Sequence, residues 1–201
     1  LEWVDDFRHK PALKLSDADI RLENRGSERK LSVRARPPAQ VATDLQVVAE
    51  LRGTDPTKLE QWSGKIYAAA ANANLVTINE YIPVSSKLKS GVGSIKAWVD
   101  VSGGRATGVT AEVDLRDVNA RLREDLAPLN FTNLTGTFAY TQTAQQRSFV
   151  TRGLAGQFVN PRARLAPTDL ELTLLPSAGS EMQNGTLKAN QIDLGAVVAV
   201  A

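Results

Sequence analysis

The chain has 201 residues, with no cysteine, one histidine, and 24 basic against 22 acidic side chains. A net charge of +2 is too small to mark a nucleic-acid surface, and the lack of cysteine excludes disulfides, thiolate metal sites and cysteine nucleophiles together. Aromatic residues make up only 5% of the chain, so any core must be built from Leu, Val, Ile and Ala.

Alternation of apolar and polar residues, the mark of half-buried strands, dominates the chain. Leu31-Ser32-Val33-Arg34-Ala35 places its apolar residues on one face. After the turn signal Arg36-Pro37-Pro38, residues Leu45, Val47, Ala49 and Leu51 repeat the pattern. Gly53-Thr54-Asp55-Pro56 leads into a predicted short helix over 57–62, with Asp55 as its cap and Pro in the first turn. Leu75, Ile78 and Ile82 predict a second helix over 74–81, ending before Pro83. Gly91-Val92-Gly93-Ser94 reads as a turn, followed by Ile95, Ala97, Val99 and Val101 on one face, opposite Lys96, Trp98 and Asp100. Ser102-Gly103-Gly104 then reverses the chain into Val109, Ala111, Val113 and Leu115, the strongest hairpin signal present. A third helix is predicted over 117–126, capped by Asp117, with Val118, Leu122 and Leu126 at a spacing of four. Phe138 and Tyr140 precede a returning strand that carries Ser148 and Val150. Turn signals at Asn160-Pro161, Pro176-Ser177-Ala178-Gly179 and Asn184-Gly185 bracket Leu170, Leu172 and Leu174 and then the last strand, with Leu187 and Ala189.

The predicted fold is mainly β: a curved antiparallel meander sheet, open groove or half-barrel, with about three short helices. Val113-Asp114-Leu115-Arg116-Asp117-Val118 is echoed by Ile192-Asp193-Leu194-Gly195-Ala196-Val197, both read as a strand leading to a helix start. No stretch approaches the ~20 apolar residues of a membrane-spanning helix. The start lacks an initiator Met and a signal-peptide pattern, and the end stops inside an apolar run. The chain therefore reads as one β-rich segment, 1–201, of a longer protein, with sub-units 1–101 and 102–201 as the alternative.

Chemistry-bearing residues are few. His9 lies between Arg8 and Lys10 and reads as a solvated surface residue. Asp5-Asp6, Asp17 with Asp19, and Glu124-Asp125 are the carboxylate pairs; they suit exposed strand faces better than acid–base catalysis. Gly91 to Ser94 precedes a strand, whereas a phosphate loop needs a helix N-terminus behind it. Arg8, Lys10 and Lys14, then Arg29, Lys30, Arg34 and Arg36, then Lys87 and Lys89, and Arg162 with Arg164 form basic clusters able to meet lipid phosphates at a groove rim, or simply to be solvated. Trp3, Trp62 and Trp98 suit packing at the edge of an aliphatic core better than a binding platform. No catalytic residue, metal site or cofactor motif is expected.

An ordered series of segments resembles a known family. Trp3-Val4-Asp5, Leu15 to Asn24, Ala35-Arg36-Pro37-Pro38, Leu45 to Gly53, and Trp62-Ser63-Gly64-Lys65-Ile66-Tyr67 come first. Gly91-Val92-Gly93-Ser94-Ile95-Lys96-Ala97-Trp98-Val99, Val113-Asp114-Leu115 and Leu187 to Leu194 follow in the same order. Together they resemble the central region of YhdP-type proteins of the AsmA-like superfamily. The resemblance implies an envelope protein of a Gram-negative bacterium, periplasmic, anchored in the inner membrane by a segment outside this chain. It implies no enzymatic activity, but a long open β-groove that moves phospholipid between inner and outer membrane. Its expected partners are phospholipid acyl chains and the rest of the same polypeptide. On that reading Leu45, Val47, Leu51, Ile95, Ala97, Val99, Val109, Ala111, Val113, Leu115, Leu170, Leu172 and Leu174 are the candidate groove residues. The rival expectation is a structural or assembly module that binds no lipid of its own.

Overall fold

The computed structural model describes residues 1–5, 10–55, 57–81, 88–121, 127–159, 163–175 and 184–191. Two short strands, β1 (Glu2–Asp5) and β2 (Lys10–Lys14), pair as an antiparallel hairpin. The main sheet contains β3 (Ser16–Arg25), β4 (Glu28–Arg36), β5 (Asp44–Arg52), β6 (Ser63–Asn74), β7 (Leu88–Ser102), β8 (Arg105–Ala120), β9 (Leu129–Gln142), β10 (Arg147–Phe158), β11 (Arg164–Leu175) and β12 (Asn184–Ala189). Each of these ten strands pairs with the next in sequence, all antiparallel, so spatial order follows chain order. β3 and β12 are the edges and do not pair with each other, which leaves the sheet unclosed. The chain exposes 13255 Å², where a compact monomer of 21.7 kDa would expose about 9,200 Å².

Local sequence explains the hairpins and the bending. Gly103 and Gly104 have φ of 59° and 69°, the pair of left-handed residues that a two-residue type I′ turn between β7 and β8 requires. Four further left-handed residues, Asp17 (46°), Asn72 (47°), Asp117 (53°) and Gly153 (58°), sit at breaks in register within β3, β6, β8 and β10. Each break inserts an extra residue into its strand, which bends the strand and increases its twist, so the sheet curves. Asp and Asn tolerate this conformation better than β-branched residues do. Gly93 allows close strand approach, since a Cβ there would lie 2.0 Å from the carbonyl oxygen of Asp114 on β8.

One α-helix, α1 (Leu75–Tyr81), and one 3-10 turn (Leu59–Gln61) are the helical elements among the described residues, against about three helices expected. The carboxamide Oδ1 of Asn74 caps α1 by accepting from the N–H groups of Val76 and Thr77 at 3.1 and 3.3 Å. Asp55 accepts from both the hydroxyl and the N–H of Thr57, at 2.7 and 2.9 Å, and these bonds hold its carboxyl below the usual range. The helix expected over 57–62 is thus reduced to a single turn.

The helix expected over 117–126 is corrected for its first part, since Asp117 to Ala120 continue β8, with Asn119 and Ala120 paired to β7 and Val118 to Ala120 paired to β9; residues 122–126 lie outside the described residues. Asp117 serves as the left-handed residue of a bulge, not as a helix cap. Gly91 to Ser94 form no turn but lie within β7, and Asn184-Gly185 opens β12. The turns expected at Asn160-Pro161 and Pro176 to Gly179, and the echo after Ile192, fall outside the described residues.

The buried core is small and lies toward one end of the strands. It consists of Leu75 from α1, Leu115 and Val118 from β8, Phe131 from β9 and Phe158 from β10, with Leu134 and Leu165 packed against it. The Phe131 and Phe158 ring centroids are 4.3 Å apart, so the core is partly aromatic and not built from aliphatic residues alone, as the composition had led one to expect. Leu115 and Val118 are three residues apart, and strict strand alternation would send them to opposite faces. The bulge at Asp117 between them lets both reach one cluster.

Candidate functional site

Register places one apolar residue from every strand of the main sheet in a single row: Leu22, Leu31, Ala49, Ile66, Val99, Val109, Tyr140, Phe149, Leu172 and Leu187, from β3 to β12. A second row two residues away runs Ile20, Val33, Val47, Ala68, Ala97, Ala111, Phe138, Thr151, Leu170 and Ala189. Thr151 is its single polar member. With ten strands spaced at ~4.8 Å, each row is about 43 Å long. Only Ala49 among these residues is buried; the others are half-buried or exposed. A third row, Ala35, Leu45, Ala70, Ile95, Val113 and Gly136, leads toward the sealed end. There Ala73, Gly93, Leu115, Leu134 and Gly156 follow, the first three and Gly156 buried.

All thirteen groove candidates fall on this one face. Val99, Val109 and Leu172 lie in the first row, and Val47, Ala97, Ala111 and Leu170 in the second. Leu45, Ile95 and Val113 occupy the third, with Leu115 in the sealed core. Leu51 and Leu174 lie on the far side of the first row, opposite Gly64 and Arg147. The face also contains members the alternation did not single out, chiefly Ile66 and Ala68 in β6, and Phe149 in β10. Phe149 pairs with Tyr140 at a ring-centroid separation of 4.8 Å. Val150, taken above for the returning strand's apolar residue, points the other way, in line with Ala139 and Glu171.

The opposite face is mainly polar and charge-paired, with Val48, Tyr67, Trp98, Ala139 and Val150 among its members. Glu23, Lys30, Glu50, Lys65 and Asp100 form a cross-strand row of alternating sign. Lys30–Glu50 and Lys65–Asp100 each close to 2.6 Å, and Lys96–Glu112 to 3.7 Å. The hydrogen bond to Glu50 raises the Lys30 ammonium above its ordinary value, and the same bond lowers the Glu50 carboxyl. Asp17 is paired with Arg36 at 2.7 Å and is the extra residue of the β3 bulge, so it forms no acidic site with Asp19. Within the basic cluster of β4, Lys30 and Arg36 thus already hold acidic partners. Arg29 donates to the carbonyl oxygens of Gly26 and Glu28. Among the described residues, no group of three or more His, Asp or Glu side chains could hold a metal ion. His9 and Glu124-Asp125 lie outside the described residues.

Of the tryptophans, the Trp3 side chain lies outside the described ones, and neither of the others forms a binding platform with a bound group. Trp98 sits on the charged face beside Tyr67, ring centroids 5.4 Å apart. Trp62 lies against Gly53, and its indole N–H donates to the Asp55 carbonyl oxygen at 2.9 Å.

One curved, unclosed antiparallel sheet, with a face that is apolar and mostly uncovered among the described residues and an opposite face rich in ion pairs, defines an open-sheet β protein. A family model described as YhdP protein matches residues 1–201, and the chain belongs to that family. Neither a search of curated proteins nor one of solved structures gave a match.

Proposed function

We propose that this segment is a non-enzymatic stretch of a lipid conduit in the Gram-negative envelope. In this reading it is the periplasmic part of a protein anchored in the inner membrane by a segment outside this chain. It carries phospholipid acyl chains between inner and outer membrane, needs no cofactor, and works with the rest of its own polypeptide. The observation that supports this most is the unbroken apolar row from Leu22 to Leu187, which no second layer covers among the described residues.

The physics is favourable. Burying an acyl CH₂ against such a floor is worth ~0.8 kcal/mol, so a sixteen-carbon chain gains on the order of 10 kcal/mol. The floor has almost no polar groups to fix a position, so a chain can slide along it. The charge-paired face keeps the back of the sheet in water. Solvent extraction and native mass spectrometry of the full-length protein purified from membranes test this reading. Bound phospholipid is expected, and its loss in the Val99→Asp variant; a lipid-free full-length protein would count against it.

A structural or assembly module is the second reading, favoured by the sealed end, where α1 fills the apolar face as a scaffold helix would. It expects no bound lipid, and Val99→Asp to be silent in lipid-transfer assays.

A further inference from the structure

The charged face is not paired throughout. Across β4 to β7 it holds a hollow of about 440 Å³, a volume within the range of small-ligand sites. β6 makes the space, because its side chains on this face shorten from Lys65 and Tyr67 to Ala69 and Ala71. The two alanines form the floor, and one register row crosses it as Arg34, Gln46, Ala69 and Lys96. Asp44 lies opposite Ala71, two residues before Gln46 and so about 7 Å along β5. Two of the cations lining the hollow are already answered: Arg36 by Asp17 at 2.7 Å and, more loosely, Lys96 by Glu112 at 3.7 Å. The side chains of Arg34, Gln46 and Asp44 have no hydrogen-bond or ion-pair partner among the described residues. Asp19, the register neighbour of Arg34 on β3, forms no ion pair with it.

We propose that this hollow binds a small zwitterion, a phosphate monoester with an ammonium group on a short linker. The proposal is independent of the lipid-conduit reading, whose apolar rows lie on the other face. The charges left unanswered in the hollow are one guanidinium and one carboxylate, Arg34 and Asp44. Arg34 and the Gln46 carboxamide donate to phosphate oxygens above Ala69 from one side, and the Lys96 ammonium donates from the other. Arg34 and Lys96 stand three strand spacings apart, about 14 Å, so an anion between them draws on both long side chains. Asp44, one row away, accepts from the ammonium. A bare phosphate would meet that carboxylate without a counter-charge, so Asp44 selects for the amine-bearing ester. The alanine floor sets the size, since a longer side chain at 69 would fill the space.

The test is isothermal titration calorimetry of the full-length protein at low salt. Its ligands are phosphoethanolamine, inorganic phosphate, and vesicles containing phosphatidylethanolamine, whose headgroup pairs a phosphate with the same ammonium. Saturable binding of phosphoethanolamine, several-fold tighter than inorganic phosphate, is expected. Arg34→Gln should weaken it about tenfold, as the loss of charge-assisted hydrogen bonds does. Asp44→Asn should remove the preference over inorganic phosphate. Ala69→Leu should abolish binding with every charge left in place, and circular dichroism checks that the sheet persists. Lys65→Gln removes a cation of the same face that lies outside the hollow, paired with Asp100, and should change nothing. Saturation by the vesicles but not by the soluble ester, lost in Ala69→Leu, keeps the site and makes a membrane headgroup its source. No saturable binding of either, binding unmoved by Arg34→Gln and Ala69→Leu, or equal weakening by Lys65→Gln overturns the site. The lipid-conduit reading is untouched by that failure, since lipid extraction reads the other face.

Discussion

The sealed end and the open floor of the sheet share one face and one kind of side chain, and differ in what lies over them. At the sealed end α1 places Leu75 onto Leu115, Val118, Phe131 and Phe158, and all of these are buried. Two rows away Ala97 and Ala111, and three rows away Val99 and Val109, present the same chemistry to no covering layer among the described residues. Apolar side chains therefore do two jobs in one sheet. Under a lid they supply cohesion, and without one they remain available to a ligand.

The comparison breaks most visibly under charge. Leu115→Asp places an unpaired carboxylate in the core, at a cost of several kcal/mol, and should leave no cooperative unfolding transition. Val99→Asp sits where water can reach the carboxylate, so the fold should persist with a nearly unchanged melting temperature while lipid binding is lost. Thermal melts and lipid extraction on the same samples separate the two. If both variants unfold alike, the floor is core.

A matched pair of aromatics sharpens the contrast. Phe131 is 7% exposed and Phe149 is 45% exposed. Phe131→Ala should cost about 3 kcal/mol in urea unfolding, and Phe149→Ala about 1 kcal/mol. Equal costs would mean that the two regions are packed alike.

The bulge inside the sealed end is tested at Asp117. Asp117→Val forces a β-branched residue into the left-handed region and should cost about 1–2 kcal/mol. Asp117→Gly should be neutral or slightly stabilising, measured the same way.

The smallest effect belongs to the charged face. Glu50 has a lowered pKa, so its contribution is present above the ordinary carboxylate range and is lost as pH falls through its folded value. Lys30 has a raised pKa, so its contribution is present below the ordinary lysine range and is lost as pH rises through its folded value. Glu50→Gln should slightly lower the melting temperature between those limits and flatten its pH dependence. Because both groups are exposed, the shift should shrink further in high salt.

Strand content and the membership of the apolar face were legible because alternation reports directly which side chains share a face. Ile95 to Val101 and Val109 to Leu115 lie in the pairing their spacing implied. Three kinds of feature were not legible. Asp117 and Gly93 depend on strand neighbours: a bulge aspartate resembles a helix cap because both use a short polar side chain in a non-helical backbone, and a glycine at a close strand approach resembles one in a turn. The alanines of β6 have poor intrinsic strand preference and are held there by β5 and β7 on either side. Phe149 was missed in favour of Val150 because a strand that alternates apolar residues on both faces gives no phase from sequence alone.

The central claim is that the floor is open, and the absence of cysteine makes it directly measurable. Single cysteines introduced at Val99, Ala111, Leu172, Leu115 and Phe131 can be timed against a water-soluble maleimide in delipidated full-length protein. Positions 99, 111 and 172 should react quickly and be protected when phospholipid is restored, while 115 and 131 stay slow throughout. Slow, lipid-independent labelling at 99 and 111, matching 115, would contradict the account.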